Sequence, residues 1–243
     1  MANGNGTENE EVKILSFDIE SAGVNALKSD LGFVICFGYK WLHEKEAHCL
    51  IIEPEDLQNF DDSQLLQKAS AIMSEADILV GHFAAVFDRR FIQGRLLINN
   101  LPPIPATKLR DTCLIARSVA NFSSNRLKHL CNILNLKAQK LPNGWPQAWF
   151  KIMQGDYREL QKMARYCKGD VVAVEELYLK LRPFDNPHPR IQADRSKCGI
   201  CGSDVEYRGY SYANNKKYRR YVCKKCRRWS RETTAIKTEQ ETE

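Results

Sequence analysis

The feature that most restricts this chain lies near its C-terminus. Cys198-Gly-Ile-Cys201 and Cys223-Lys-Lys-Cys226 are two C-x-x-C pairs separated by 21 residues. Two such knuckles let four thiolates close a tetrahedron around one structural Zn²⁺. A closed Cys₄ site keeps no open position, so it is not expected to be catalytic. Cys36, Cys49, Cys113, Cys131 and Cys167 sit in apolar contexts and read as small buried hydrophobes. Nine cysteines without a secretory leader argue against a disulfide framework.

The charge distribution sets the same segment apart. Residues 1–194 carry 23 Lys/Arg and 24 Asp/Glu, whereas residues 195–231 carry 12 Lys/Arg and 2 Asp/Glu. A nearly neutral body therefore joins a strongly basic module, which is an electrostatic footprint for polyanions. Between its knuckles the module alternates aromatic and basic residues. Tyr210, Tyr212, Lys216, Lys217, Arg219 and Arg220, with Trp229 beyond them, are the candidate nucleic-acid contacts. Cations pair with phosphates and rings stack on unpaired bases. Arg227 and Arg228 extend the patch. The other reading of the ribbon is a module that docks on protein.

The 243 residues suffice for one full domain plus a small module. The expected division is a disordered tail over 1–11, a nuclease-sized domain over 12–182, a Pro-rich linker over 183–194, the ribbon over 195–231 and an acidic tail over 232–243. No apolar run is long enough to span a bilayer. The polar start is not a secretory signal, so the expected location is cytoplasmic, in a bacterial or phage-infected cell.

Hydrophobic periodicity predicts strands over 12–19, 32–41, 47–53 and 76–81. It predicts helices over 62–74, 86–98 and 156–181, one capped by Asp111 and running to Ala120, and one capped by Ser124 or Asn125. Residues 137–154 read as irregular, with a Pro-Asn-Gly-Trp-Pro turn. The expected class is α/β, a mixed sheet flanked by helices.

Three acidic elements stand out. Asp18 and Glu20 lie two apart on the first strand and so share a face. Asp88 follows a short buried strand at the start of a helix, where the helix dipole favours an anion. Tyr166 and Asp170 lie four apart on one face of the long helix. Gly169 within that helix costs about 1 kcal/mol relative to Ala, a cost that close approach of backbone or substrate would explain.

In this order Asp18, Glu20, Asp88, Tyr166 and Asp170 resemble the catalytic set of the DEDD (DnaQ-like) 3′→5′ exonucleases, in the tyrosine or DEDDy version. The flanking SFDIES, VGH…FD and YCKGDV agree, as do RDTCLIAR and NRLKHLCNILNLK. The resemblance covers about residues 12–182. It is nearest to stand-alone, phage-type relatives of the family B DNA polymerase proofreading domain. It implies a ribonuclease H-like fold and two Mg²⁺ or Mn²⁺ ions held by Asp18, Glu20, Asp88 and Asp170. Tyr166 would orient the attacking water, and DNA or RNA would be the substrate, with single-stranded DNA favoured. Replication or repair proteins are expected partners, and a membrane is not. An inactive nucleic-acid-binding adaptor and a ribonuclease H-like endonuclease are the alternatives. The family often places Asn after the Gly-His of the second motif. Here the residue is Phe83, read as core filling in preference to base stacking. Asp111 reads as a cap, and His82 as a hydrogen-bonded structural histidine. Lys128, Lys137 and Lys140 are weaker phosphate contacts.

Overall fold

A computed structural model describes residues 12–138 and 145–236. They divide into two compact units, one ending at Tyr178 and one beginning at Leu179. No described helix is long and apolar enough to cross a membrane.

The first unit is built on a five-stranded mixed sheet. Its strands are β1 (Ile14–Gly23), β2 (Gly32–Trp41), β3 (His48–Ile51), β4 (Ile78–Gly81) and β5 (Lys108–Asp111), in spatial order β3-β2-β1-β4-β5. β2 is antiparallel to both β1 and β3, while β4 is parallel to β1 and to β5. The helices are α1 (Pro54–Asn59), α2 (Ser63–Ser74), α3 (Asp88–Ile98), α4 (Thr112–Val119), α5 (Leu127–Ile133), α6 (Trp145–Met153) and α7 (Tyr157–Leu181). This is the expected α/β architecture of a mixed sheet flanked by helices.

Alternation along the strands decides what each face does. Phe17, Ile19, Ile35 and Phe37 are buried in the core, with Phe17 and Phe37 stacked at 6.2 Å between ring centroids. Helix α2 packs on β2 and β3 and against α3, burying Leu65, Leu66, Ala69 and Met73 as its spacing predicts. Asp62, just before α2, is fully buried. It accepts hydrogen bonds from Val34 N (2.8 Å), Arg95 Nη2 (2.8 Å) and Asn99 Nδ2 (2.9 Å), tying β2 to α3.

The other face carries Asp18, Glu20, Cys36, Gly38 and Lys40, and α7 lies against it. A Cβ added to Gly38 would stand 2.7 Å from Cys167 Sγ and 2.9 Å from Val171 Cγ2, so only glycine lets α7 come this close. One turn further along, Lys40 Nζ donates to both oxygens of Glu175, at 2.6 and 2.8 Å, in a buried pair.

Three elements lie where the sequence reading has none. Residues 145–153, read as irregular, form α6. Pro146 falls in its first turn, where a missing N–H is tolerated, and Ala148 and Ile152 bury one side. Trp149 Nε1 donates to Ser21 O at 2.8 Å and fixes α6 to β1. β5 is too short, and α1 too brief, to show a period. The N-cap of α5 is Arg126, displaced from the expected Ser124 or Asn125, while Ser124 Oγ accepts from Arg126 N at 3.3 Å. Pro142, Asn143 and Gly144 of the expected turn lie outside the described residues, as do the whole of 1–11 and 237–243.

The second unit contains an antiparallel sheet of β6 (Val205–Ala213), β7 (Lys216–Cys223) and β8 (Trp229–Arg231). Asn214 and Asn215, at φ 48° and 58°, supply the left-handed pair that a two-residue hairpin turn requires. The segment after α7 is held to this sheet. Arg228 Nη1 donates to the carbonyls of Arg182, Pro183 and Asp185, and Nη2 to that of Asn186, at 2.9–3.3 Å. Arg228 is therefore a clamp within the module, which corrects its reading as part of an open basic patch.

Gly38→Ala is expected to destabilise the protein by about 1–3 kcal/mol through overpacking against α7. Adding Cys167→Ala should restore part of the loss. Equal denaturant midpoints for wild type and Gly38→Ala would refute the close approach.

Candidate metal and nucleic-acid sites

Strand β1 delivers two acids. Asp18 lies opposite Gly38 of β2, and Glu20 opposite Cys36. The register shifts between Glu20 and Ser21, and such a bulge re-aims the side chain beside it. Helix α7 delivers the third acid, Asp170, which is 3% exposed. One carboxylate oxygen from each of Asp18, Glu20 and Asp170 lies within 4.8 Å of the others. Three carboxylates so close repel one another unless a cation lies among them, and all-oxygen donors suit hard divalent ions. The donor set therefore fits a divalent metal centre.

Asp88 lies outside this cluster of three but beside it. It is buried at the N-terminus of α3, and its Oδ1 accepts the Ile19 amide at 3.2 Å, between the two acids of β1. Tyr166 is buried one turn before Asp170 on α7. The structure thus brings Asp18, Glu20 and Asp170 together, with Asp88 and Tyr166 adjacent in the fold. A Cβ on Gly169 would meet nothing within 4 Å, so packing within the protein does not explain this glycine.

Three cysteines read separately from the sequence meet next to the acids. Cys167 Sγ contacts Asp18 O at 3.6 Å and Asp18 Oδ2 at 3.8 Å. Cys49 receives the thiols of Cys167 and Cys36, with further help from the Lys168 charge, which lowers it to about 5. The hydrogen bonds to Cys49, together with burial, push Cys36 and Cys167 well up. The signal was the register: Cys49 lies directly opposite Gly38, and so diagonal to Cys36 two residues before it on β2, which a linear reading does not reveal.

The loop from β4 to α3 is held by Asp111. Its Oδ1 accepts Phe83 N (3.0 Å) and Cys113 N (2.9 Å), and its Oδ2 accepts Ala85 N (2.9 Å). The expected helix cap is thus also the anchor of the neighbouring loop. His82 Nδ1 bonds Thr112 Oγ1 at 2.9 Å, and that hydroxyl donates to Gly81 O, which makes His82 the structural histidine expected. Phe83 departs from its reading as core. It is 40% exposed and left-handed, at φ 65°, a conformation costing a bulky residue about 1–2 kcal/mol. It lines a cavity of about 810 Å³ with His82, Arg117, Asn125, Arg126 and Lys128. Lys137 is exposed, and Lys140 lies outside the described residues.

In the second unit, the sulfurs of Cys198, Cys201, Cys223 and Cys226 lie within 4.8 Å of one another. Cys198–Cys226 is 3.7 Å and Cys201–Cys223 is 3.5 Å. A tetrahedron with Zn–S bonds of ~2.3 Å has edges of ~3.8 Å, so the spacing fits. Burial raises the Cys223 thiol, but the amides of Cys226 and Lys225 outweigh it and bring it to about 7. The Cys226 amide reaches Cys223 Sγ at 3.4 Å.

Gly209, at φ 80°, sits in a bulge that places two residues of β6, Arg208 and Gly209, against one of β7, Arg220. Tyr207, Tyr210 and Tyr212 consequently share one face with their partners Tyr221, Arg219 and Lys217. Lys217 Nζ lies 3.8 Å from the Tyr210 ring centroid. Lys216, Arg220 and Trp229 fall on the opposite face, where Arg220 covers Trp229 at 4.8 Å and Arg231 covers Tyr218 at 4.5 Å. The seven candidate contacts are therefore divided between two surfaces, and Tyr207 and Tyr221 join the first.

Residues 15–182 match the profile of the RNase_H superfamily. The chain belongs to the RNase H superfamily. Comparison with curated proteins gives no match. Among solved structures, the chain is similar to the family B DNA polymerase from the hyperthermophilic archaeon Pyrobaculum calidifontis, at a TM-score of 0.58 and 16% identity. The match covers 71% of this chain but 25% of the polymerase. At that identity the likeness is one of fold. RNase H superfamily membership and the convergent acids together support metal-dependent nuclease chemistry.

Cys49 is expected to be alkylated by iodoacetamide at neutral pH well before Cys36 or Cys167, because the thiolate is the nucleophile. Mass spectrometry of timed digests checks this, and equal or reversed labelling would contradict the hydrogen-bond order.

Proposed function

We propose that this chain is a metal-dependent 3′→5′ exonuclease, with single-stranded DNA as its preferred substrate. The observation that carries the reading is the convergence of Asp18, Glu20 and Asp170 from a strand and a helix about 150 residues apart in sequence. Membership of the RNase H superfamily supports it, as does a fold like that of a DNA polymerase.

In this reading Asp18, Glu20 and Asp170 would hold a divalent ion, and Asp88 would support a second. Mg²⁺ or Mn²⁺ suits these oxygen donors, and when bound it would supply stabilisation of the negative charge that develops on the scissile phosphate. Tyr166 orients the attacking water and does not act as a strong base, since an ordinary tyrosine titrates near ~10. Attack on the last phosphodiester releases a nucleoside 5′-monophosphate.

The Cys₄ cluster holds one structural Zn²⁺, and the ribbon grips the strand. Tyr210, Tyr212, Lys217 and Arg219 form the primary surface. Lys216, Arg220 and Trp229 form a second basic surface, whose indole is already stacked under a guanidinium. The expected domain limits stand in this proposal as the nuclease over 12–182 and the ribbon over 195–231.

Asp18→Ala or Asp170→Ala should abolish cleavage while circular dichroism stays unchanged. With Mg²⁺ or Mn²⁺, wild type should shorten 5′-labelled DNA stepwise, and chelator should stop it. Internal cuts would favour an endonuclease, binding without cutting an adaptor, and faster loss of RNA would reverse the substrate preference. The purified protein should carry one zinc per chain, lost in Cys226→Ser. Lys217→Ala with Arg219→Ala should flatten the log K against log salt slope by about 1.4, at about 0.7 per phosphate contact on a single strand. An unchanged slope would remove this face as the grip.

A further inference from the structure

We infer that the cavity beside Phe83 is a binding site for an unpaired nucleobase of the substrate strand. The inference deepens the nuclease reading and rests on it for the identity of the strand. Four independent features of the cavity converge on that ligand.

The first is Phe83 itself. An exposed ring on a left-handed backbone is held there, because Asp111 grips the loop through the Phe83 and Ala85 amides. A strained residue that persists under such restraint points to use of its side chain. The second is charge. Arg117, Arg126 and Lys128 are exposed and line the same cavity, with no carboxylate among its lining residues. The third is an acceptor. Asn125 lines the cavity, and its carboxamide oxygen is covered and has no hydrogen-bond partner among the described residues. A buried unpaired polar atom is costly, and a ring N–H or exocyclic amine of a base would satisfy it once the amide turns toward the cavity. The fourth is size, since about 810 Å³ falls within the ~300–1,000 Å³ range of ligand sites.

An aromatic face, a buried acceptor and three cations together fit a base attached to its phosphates. An apolar ligand would leave the cations and the amide unused, and a free phosphate would leave the ring unused. Phe83 lies on the loop that leads into α3, whose first residue, five further on, is Asp88. A base stacked on Phe83 would therefore fix the strand relative to the acids. Phe83 acts here as a positioning residue and takes no part in the chemistry.

The test is binding of a 5′-fluorescein-labelled DNA octamer to the full, zinc-loaded chain with neither Mg²⁺ nor Mn²⁺ added, followed by anisotropy, so that no cleavage intervenes. A second octamer has abasic sites at its three 3′-terminal positions. Wild type should prefer the normal strand by at least about fivefold, as one base–aromatic stack implies. Phe83→Asn keeps a residue that tolerates the left-handed backbone but removes the ring, and should erase the preference. Phe83→Trp should retain it. Arg117→Ala with Lys128→Ala should weaken both strands equally. Equal binding of the two strands by wild type, or full preference in Phe83→Asn, overturns the proposal. A wild type that prefers the normal strand but never shortens it with Mg²⁺ or Mn²⁺ would sink the nuclease reading and leave this site standing.

Discussion

The closeness of one long helix to one face of the sheet governs this molecule. Helix α7 rests on Gly38, where any side chain would collide with Cys167 and Val171. Beside that contact Lys40 and Glu175 pair in the interior. A buried ion pair often contributes little net stability, because desolvation offsets its attraction. Its geometric effect is larger: two charges that must meet allow α7 little freedom to slide or rotate. That constraint carries Asp170 to Asp18 and Glu20, and the thiol of Cys167 to Asp18. The acids are brought together by packing, against their own repulsion.

Much of this was legible in the residues. Strand β1 alternates core and acid, so Asp18 and Glu20 declare a shared face without any knowledge of neighbours. The long period of α7 did the same for Tyr166 and Asp170. The short elements were not legible. β5 has one interior apolar residue, and α6 was concealed by the proline in its first turn. Contacts made across strands were also hidden. Cys36, Cys49 and Cys167 look like three unrelated hydrophobes until the pairing of β2 with β3 is known. Arg228 looks like its basic neighbours, and only its four carbonyl partners set it apart. Phe83 was read as core because it is a phenylalanine after a buried strand. The Asp111 anchor turns it outward, and no local pattern reports an anchor 28 residues away.

The two candidate sites have opposite electrostatic character. The acid cluster repels a polyanion until cations neutralise it, whereas the ribbon attracts one without assistance. A chain with only the first would meet a nucleic-acid strand under unfavourable potential. In the proposed nuclease, the basic module would make the encounter depend on salt and the acid cluster would make the chemistry depend on divalent ions, so each could be tuned separately.

The bulge at Gly209 has a consequence for how the ribbon can change over evolutionary time. Because strand side chains alternate, the single extra residue keeps Tyr207 aligned with Tyr210 and Tyr212. Exchanging one ring for another there is a mild edit. Straightening the bend into regular pairing at unchanged length would invert every later position of β6, sending the tyrosines to the side of Tyr218 and Arg220. The surface is thus protected by one backbone conformation more than by side-chain identity, and the bend is the property of this hairpin that descent has least liberty to alter.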